Sequence, residues 1–198
     1  MKKRAVVAYV GSALLTLSAG FAHAIDQQPG DWEYAFYAGA YMPGPSELDS
    51  GATGGARIGY RATENIALSA SAGYSDLSGD SGSGASKIKG SWQGYLLDFD
   101  VWYIFFPNNR FSFTVGAGPG YAWNDLSLKG NTGNVDTGHL GDNSLTFNAA
   151  IGPIIKINDR FDLRLMTRLR YFDNRNNGPS DDAFDKEITL GIVFPLKF

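Results

Sequence analysis

Eleven charged residues stand at alternating positions in segments whose other face is apolar. Five are acids, Glu33, Asp98, Asp100, Asp162 and Glu187, and six are bases, Arg57, Arg61, Lys156, Arg164, Arg168 and Arg170. A near-balanced set on one buried face should pair, because an unpaired buried charge is costly. Such a network either fills an interior or lines a polar passage that opens when an ion pair changes partner. A second chemistry would be acyl transfer by His139 and Ser144. A nucleophile and its base must meet within hydrogen-bond reach, and this spacing predicts no such meeting. His139 reads as a solvated histidine in a Gly-rich stretch, so no catalytic residue is expected. A third is cation binding by Asn131, Asn134, Asp136 and Asp142, or by Asp173, Asp181, Asp182 and Asp185. Calcium takes such oxygen donors, but the spacing of an EF-hand is missing. No metal site and no cofactor is expected. Lys87, Lys89 and Lys129 suit contacts to lipid phosphate.

The elements that carry these residues read as strands of period 2. The longest pair runs from Ser91 to Trp123, two strands around the turn Pro107 to Arg110. Tyr95, Leu97, Phe99, Val101, Tyr103 and Phe105 form one face, and Leu96, Asp98, Asp100, Trp102, Ile104 and Phe106 the other. After the turn, Phe111, Phe113, Val115 and onward to Trp123 alternate with Ser112, Thr114, Gly116, Gly118, Gly120 and Ala122. The same pattern gives strands over 32–42, 52–62, 66–74, 144–157, 161–171 and 185–198, eight in all. Loops are expected at 43–51, 75–90, 124–143 and 173–184. Thr63-Glu64-Asn65, Pro107 to Arg110 and Asn158-Asp159-Arg160 are short turns. Long connections therefore alternate with short ones, the layout of an outer-membrane barrel with short periplasmic turns.

The fold class expected is all-β, an eight-stranded antiparallel up-and-down transmembrane barrel. A soluble barrel with its apolar face inside is the rival. Eight strands enclose only enough room for side chains or one small ligand. Five or six large apolar residues per strand would not fit there, whereas the Gly, Ala, Ser and Thr of the opposite face suit a narrow lumen. Aromatics such as Trp32, Tyr34, Tyr103, Phe111, Trp123 and Tyr171 gather near strand ends, as in interfacial girdles. The apolar face is expected to meet lipid.

Residues 1–24 read as a secretory signal peptide, with Lys2, Lys3 and Arg4, an apolar stretch to Phe21, and Ala22-His23-Ala24 before cleavage. Residues 25–198 form the barrel domain. Without Lys2, Lys3 and Arg4, 14 basic residues face 20 acidic ones, a net charge near −6. That balance argues against nucleic acid, which wants a basic footprint. The absence of cysteine excludes disulfide and thiol chemistry.

From about Asp31 to Phe198 the chain resembles the small eight-stranded outer-membrane barrels of the OmpA transmembrane-domain and OmpX type. The resemblance rests on the strand plan and on Ile188, Leu190, Ile192, Phe194, Leu196 and the terminal Phe198. It implies that Phe194, Leu196 and Phe198 are a signal read by the barrel-assembly machinery. It also implies a cell outer-membrane location among lipid and lipopolysaccharide, as a monomer. A host or surface ligand, where there is one, would meet the outer loops. No peptidoglycan-binding domain is expected after Phe198, so a cell-wall tether is not implied. Some barrels of this size deacylate lipid A with a His–Ser pair, and His139 would be the base of that type. The function expected is structural or surface-interacting. A narrow ion or small-solute channel through the charged lumen is the first alternative, and a lipid A-modifying enzyme the second. The pairs expected in the lumen are Glu33 with Arg61, Glu187 with Arg168 and Arg170, and Asp98 and Asp100 with Arg57 or Arg164.

Overall fold

The computed structural model describes residues 28–44, 49–81, 88–130, 136–158, 160–173 and 184–196, without the side chains of 78–81, 88–92, 124–130 and 136–142. Residues 1–24, expected to be a signal peptide, and Phe198 lie outside the described residues. So do Lys87, Asn131, Asn134, Asp181 and Asp182, and the side chains of Lys89, Lys129, Asp136, His139 and Asp142.

Eight strands follow in chain order. They are β1 (Trp32–Met42), β2 (Gly51–Arg61), β3 (Ile66–Ser81), β4 (Ile88–Phe105), β5 (Phe111–Gly130), β6 (Asp136–Lys156), β7 (Asp162–Phe172) and β8 (Phe184–Leu196). Each pairs antiparallel with its sequence neighbour, and β8 closes on β1. The ladder from Trp32 runs through Tyr60, Leu68, Val101, Ala117, Ala149 and Leu169 to Lys186. Trp32 itself pairs with Leu196, ten residues further along β8. That stagger is the shear of the barrel, and it requires strands tilted by roughly 35–45°.

Alternation decides the two surfaces. Tyr95, Phe99, Val101, Leu145 and Phe147 point outward and are more than half exposed, while their neighbours in sequence are buried. An apolar belt of this extent in contact with water would be a large exposed patch; lipid removes that cost. Trp32 packs on Tyr60 at 5.1 Å and Tyr34 stacks on Phe194 at 4.9 Å, so the β8–β1–β2 seam is lined with rings.

The outer ends of four strands differ from expectation. β3 continues to Ser81, β4 begins at Ile88, β5 reaches Gly130 and β6 begins at Asp136. Much of 75–90 and 124–143 is therefore paired strand rather than loop. The hairpin ladder needs only backbone N–H and C=O groups, so it persists where Ser, Gly and Asp replace the apolar side chains. A bulge between Ser127 and Lys129 shifts the β5–β6 register. Phe106, expected inward, instead turns out of β4 with a φ of 55° and is exposed.

The short turns are held by their own side chains. Thr63 Oγ1 accepts from the Ile66 amide at 3.0 Å, and Asn158 Oδ1 from the Arg160 amide at 2.8 Å. Ser112 Oγ donates to the Phe106 carbonyl at 2.9 Å. Such local bonds substitute for ladder bonds where the chain reverses. Three prolines stand inside strands, Pro119, Pro153 and Pro195, and ladder gaps mark the first two. The β4–β5 ladder is interrupted where Phe99 and Asp100 face Gly118 and Pro119, and the β6–β7 ladder where Gly152 and Pro153 face Leu165 and Met166. Proline lacks the donor the ladder needs. Opposite each break the partner backbone closes in. A Cβ on Gly118 or Gly152 would lie 1.8 Å from the Phe99 or Leu165 carbonyl oxygen, so only glycine fits at either place.

Candidate functional site in the barrel lumen

Period 2 delivers all eleven charges, Glu33, Arg57, Arg61, Asp98, Asp100, Lys156, Asp162, Arg164, Arg168, Arg170 and Glu187, to the buried inner face. Asp98 on β4 and Arg168 and Arg170 on β7 form the centre. Arg170 engages both oxygens of Asp98, Nη1 on Oδ1 and Nη2 on Oδ2, the latter at 2.8 Å. Arg168 reaches Asp98 with Nη1 and Asp100 with Nη2, at 3.0 Å to Asp100. Asn148 Nδ2 donates to the Gly118 carbonyl at 3.1 Å and lies 3.4 Å from Asp98 Oδ1. A carboxylate bound by two guanidinium groups and an amide is well matched to its burial, because charge-assisted and bidentate bonds are the strong ones.

The pairing differs from the one expected from strand adjacency. Asp98 and Asp100, expected to meet Arg57 or Arg164, are held by Arg168 and Arg170 from across the barrel. Glu33, expected beside Arg61, is held by Arg164 at 3.0 Å. Arg61 donates to the Glu64 carbonyl at 3.3 Å. The expected approach of Glu187 to Arg170 is present, at 3.7 Å. The reason is reach. In a barrel this narrow, a long side chain crosses the lumen as readily as it reaches its ladder neighbour.

Arg57 is the exception among these bases. Among the described residues no carboxylate lies within ion-pair distance of it. Its guanidinium sits over the Trp102 ring at 4.8 Å and 5.9 Å from the centre of the Tyr37 ring. Trp102 is fixed in turn by Nε1–H donation to Ser69 Oγ at 2.9 Å.

The lumen glycines act as sockets rather than as filler. A Cβ on Gly116 would strike the Trp102 ring at 2.3 Å, and one on Gly120 would meet Asp98 Oδ1 at 2.4 Å. Gly55 and Gly73 leave the same kind of space for the Tyr37 hydroxyl.

Asp185, read from the sequence as a possible cation donor with Asp173, Asp181 and Asp182, is instead a fully buried lumen residue: it accepts from the Tyr41 hydroxyl and from the Gly44 amide at 2.8 Å. The signal was present, since Asp185 precedes Glu187 by two and shares its face. Apolar layers were the larger omission. Tyr41, Leu77, Leu96, Ala122 and Phe172 cluster toward the loop end of the lumen. Ala67, Trp102, Ile104, Ala150, Ile154 and Met166 cluster toward the turn end. The charged centre lies between them.

Of the expected terminal signal, Phe194 and Leu196 lie at the end of β8, where Phe194 stacks on Tyr34. Ser144 is buried on the inner face. Among the described residues no three His, Cys, Asp or Glu side chains gather as metal ligands.

Residues 12–194 match the family model described as outer membrane protein beta-barrel domain. No curated protein matches the chain in sequence. Among solved structures, the N-terminal β-barrel domain of OprF from Pseudomonas aeruginosa is similar, with 17% identity, a TM-score of 0.56, and coverage of 85% of this chain and 98% of that one. OprG from the same organism has 14% identity, a TM-score of 0.56 and coverage of 88% and 99%. Ail, the attachment invasion locus protein of Yersinia pestis, has 10% identity, a TM-score of 0.54 and coverage of 85% and 100%. At these identities the likeness concerns the fold.

Proposed function

Because the chain belongs to the outer membrane protein β-barrel family, and so is a protein of the outer membrane, we propose that it acts as a monomeric, side-chain-filled barrel. On this reading its work is structural, or is done at the surface by the extended β3–β4 and β5–β6 hairpins and the segments beyond them. The supporting observation is the layering of the lumen. The Asp98–Arg168–Arg170 cluster is bracketed by the Tyr41–Phe172 and Trp102–Met166 apolar layers. Ions cross apolar constrictions poorly, and eight strands leave little width to spare. The surroundings would be lipid and lipopolysaccharide. The Phe194, Leu196 and Phe198 end would serve the barrel-assembly machinery, and a host or surface ligand would be met by the hairpins. Residues 1–24 would be the exported signal.

Planar-bilayer recording tests the filled lumen. No conductance above background is expected from the wild type or from Glu187→Ala; a stable unitary conductance that changes in Glu187→Ala would replace this reading with a channel. That second reading has one observation in its favour. Asp100 Oδ1 and Glu187 Oε2 are buried without a hydrogen-bond donor, so Arg168 and Arg170 have alternative carboxylate oxygens to turn to. Removal of the two hairpin tips, with membrane insertion retained and surface binding lost, would support the surface role. Unaltered acyl chains on lipid A after overexpression would set aside the enzymatic alternative through His139.

A further inference from the structure

Between β1, β2, β7 and β8 the lumen keeps a small cavity of about 10 Å³, lined by Ala35, Tyr37, Arg57, Arg164, Met166 and Thr189 among others. Two of these are guanidinium side chains more than nine-tenths buried, Arg57 at 8% exposure and Arg164 at 5%. Each has an Nε that finds no acceptor in the protein. No carboxylate lines the cavity. Glu33 is engaged by Arg164, and Asp98 and Asp100 are engaged by Arg168 and Arg170. The free Asp100 Oδ1 and Glu187 Oε2 lie outside the cavity lining. Arg57 is left with the faces of Trp102 and Tyr37.

We propose that this cavity binds one small monovalent anion of chloride size, held between Arg57 and Arg164. Three observations fix the class of ligand. The charge is one: among the groups that line the cavity and their direct ion-pair partner, Arg57 and Arg164 stand against Glu33 alone. The space has room for the centre of one small sphere only, which excludes phosphate, sulfate and carboxylates. The lining is rich in donors. A guanidinium offers N–H groups and no acceptor; of the two lining hydroxyls, that of Tyr37 donates to the Ala72 carbonyl at 3.5 Å, which leaves that of Thr189. A halide uses donors alone, whereas a water molecule must also place its own protons. Ring faces add a favourable but partial compensation for a buried cation, so the anion completes what Trp102 begins.

The protein, purified from membranes in detergent, is crystallised in sodium bromide, and anomalous scattering is collected at the bromine edge. A peak between Arg57 and Arg164 is expected in the wild type, and its loss in Arg57→Gln. In parallel, the heat-unfolding midpoint is followed on gels at equal ionic strength in sodium bromide, chloride and gluconate. Both halides should raise the midpoint over gluconate in the wild type. Thr189→Val, which removes a donor but no charge, should shrink that rise. Arg57→Gln should abolish it. A wild-type map with no anomalous peak in the cavity overturns the proposal, as does a peak that survives in Arg57→Gln or a midpoint equal in all three salts. If Arg57→Gln does not fold, the wild-type map and Thr189→Val still decide.

Discussion

Arg170 of β7 grips Asp98 of β4 across the lumen through both carboxylate oxygens. The two residues are 72 positions apart and sit on strands separated by two others. Arg168 shares the same carboxylate. One acid thus holds two cations in the middle of the barrel, and the consequences of removing it are asymmetric.

Asp98→Ala leaves Arg170 with Glu187 at 3.7 Å and Arg168 with Asp100 alone. Breaking a buried pair from one side typically costs about 3–5 kcal/mol. A loss of that order is expected in the urea unfolding of the refolded barrel. Asp98→Leu combined with Arg170→Met removes both charges. It should be less destabilised than the sum of the two single changes, because neither partner remains buried alone. Additive losses would mean that the cluster does not act as a unit.

Gly118 and Gly152 are predicted to tolerate no side chain. Each stands beside a strand proline, where the facing carbonyl occupies the Cβ position at 1.8 Å. Gly118→Ala and Gly152→Ala should lose the folded, fast-migrating band on unheated gels. Gly191→Ala is the control. Its Cβ would first meet the Phe36 carbonyl oxygen at 3.3 Å, a contact small shifts relieve. Equal folding of all three variants would refute the close approach at the prolines.

Leu77→Ala should cost about 2–5 kcal/mol, as for other buried leucines. Leu77 is almost fully buried in the layer with Tyr41, Leu96 and Phe172. Were 75–90 a solvated loop, the change would be nearly silent in unfolding experiments. The contrast shows where the sequence was readable and where it was not. Strand number, order and inner face followed from period 2, because a face turned to lipid must be apolar at every second residue from Trp32 to Phe194. Beyond Tyr74 and Trp123 that demand ends. Leu77 is then a lone apolar residue in a Ser, Gly and Asp stretch, and the ladder that carries it leaves no side-chain signature. The lumen was readable as a set and not as pairs. Glu33, Asp98 and Asp100 were identified as inward, but their partners depend on the stagger and on arginine reach. Arg57 shows this best: its closest interaction is with Trp102, an aromatic that alternation placed inside without assigning it a role.

Trp102 supplies the test of orientation. Its ring is 2% exposed and lies on Gly116 within the lumen, whereas Trp32 and Trp123 are 40% and 43% exposed on the outer face. In variants that each retain one tryptophan, reconstituted in lipids with brominated acyl chains, Trp32 and Trp123 should be quenched and Trp102 should not. Trp102 should also emit at a wavelength insensitive to the bromine position, because no acyl chain reaches it at any depth. Replacing Arg57 by Met removes the cation over the ring. It should shift the Trp102 emission without making it quenchable, since the indole remains fixed to Ser69. Quenching of Trp102 equal to that of Trp32 would place the charged face against lipid. There Arg168 and Arg170 would each carry a cost of about 2–4 kcal/mol near the midplane, and Asp98 a smaller one, and the assignment of the two faces would have to be reversed.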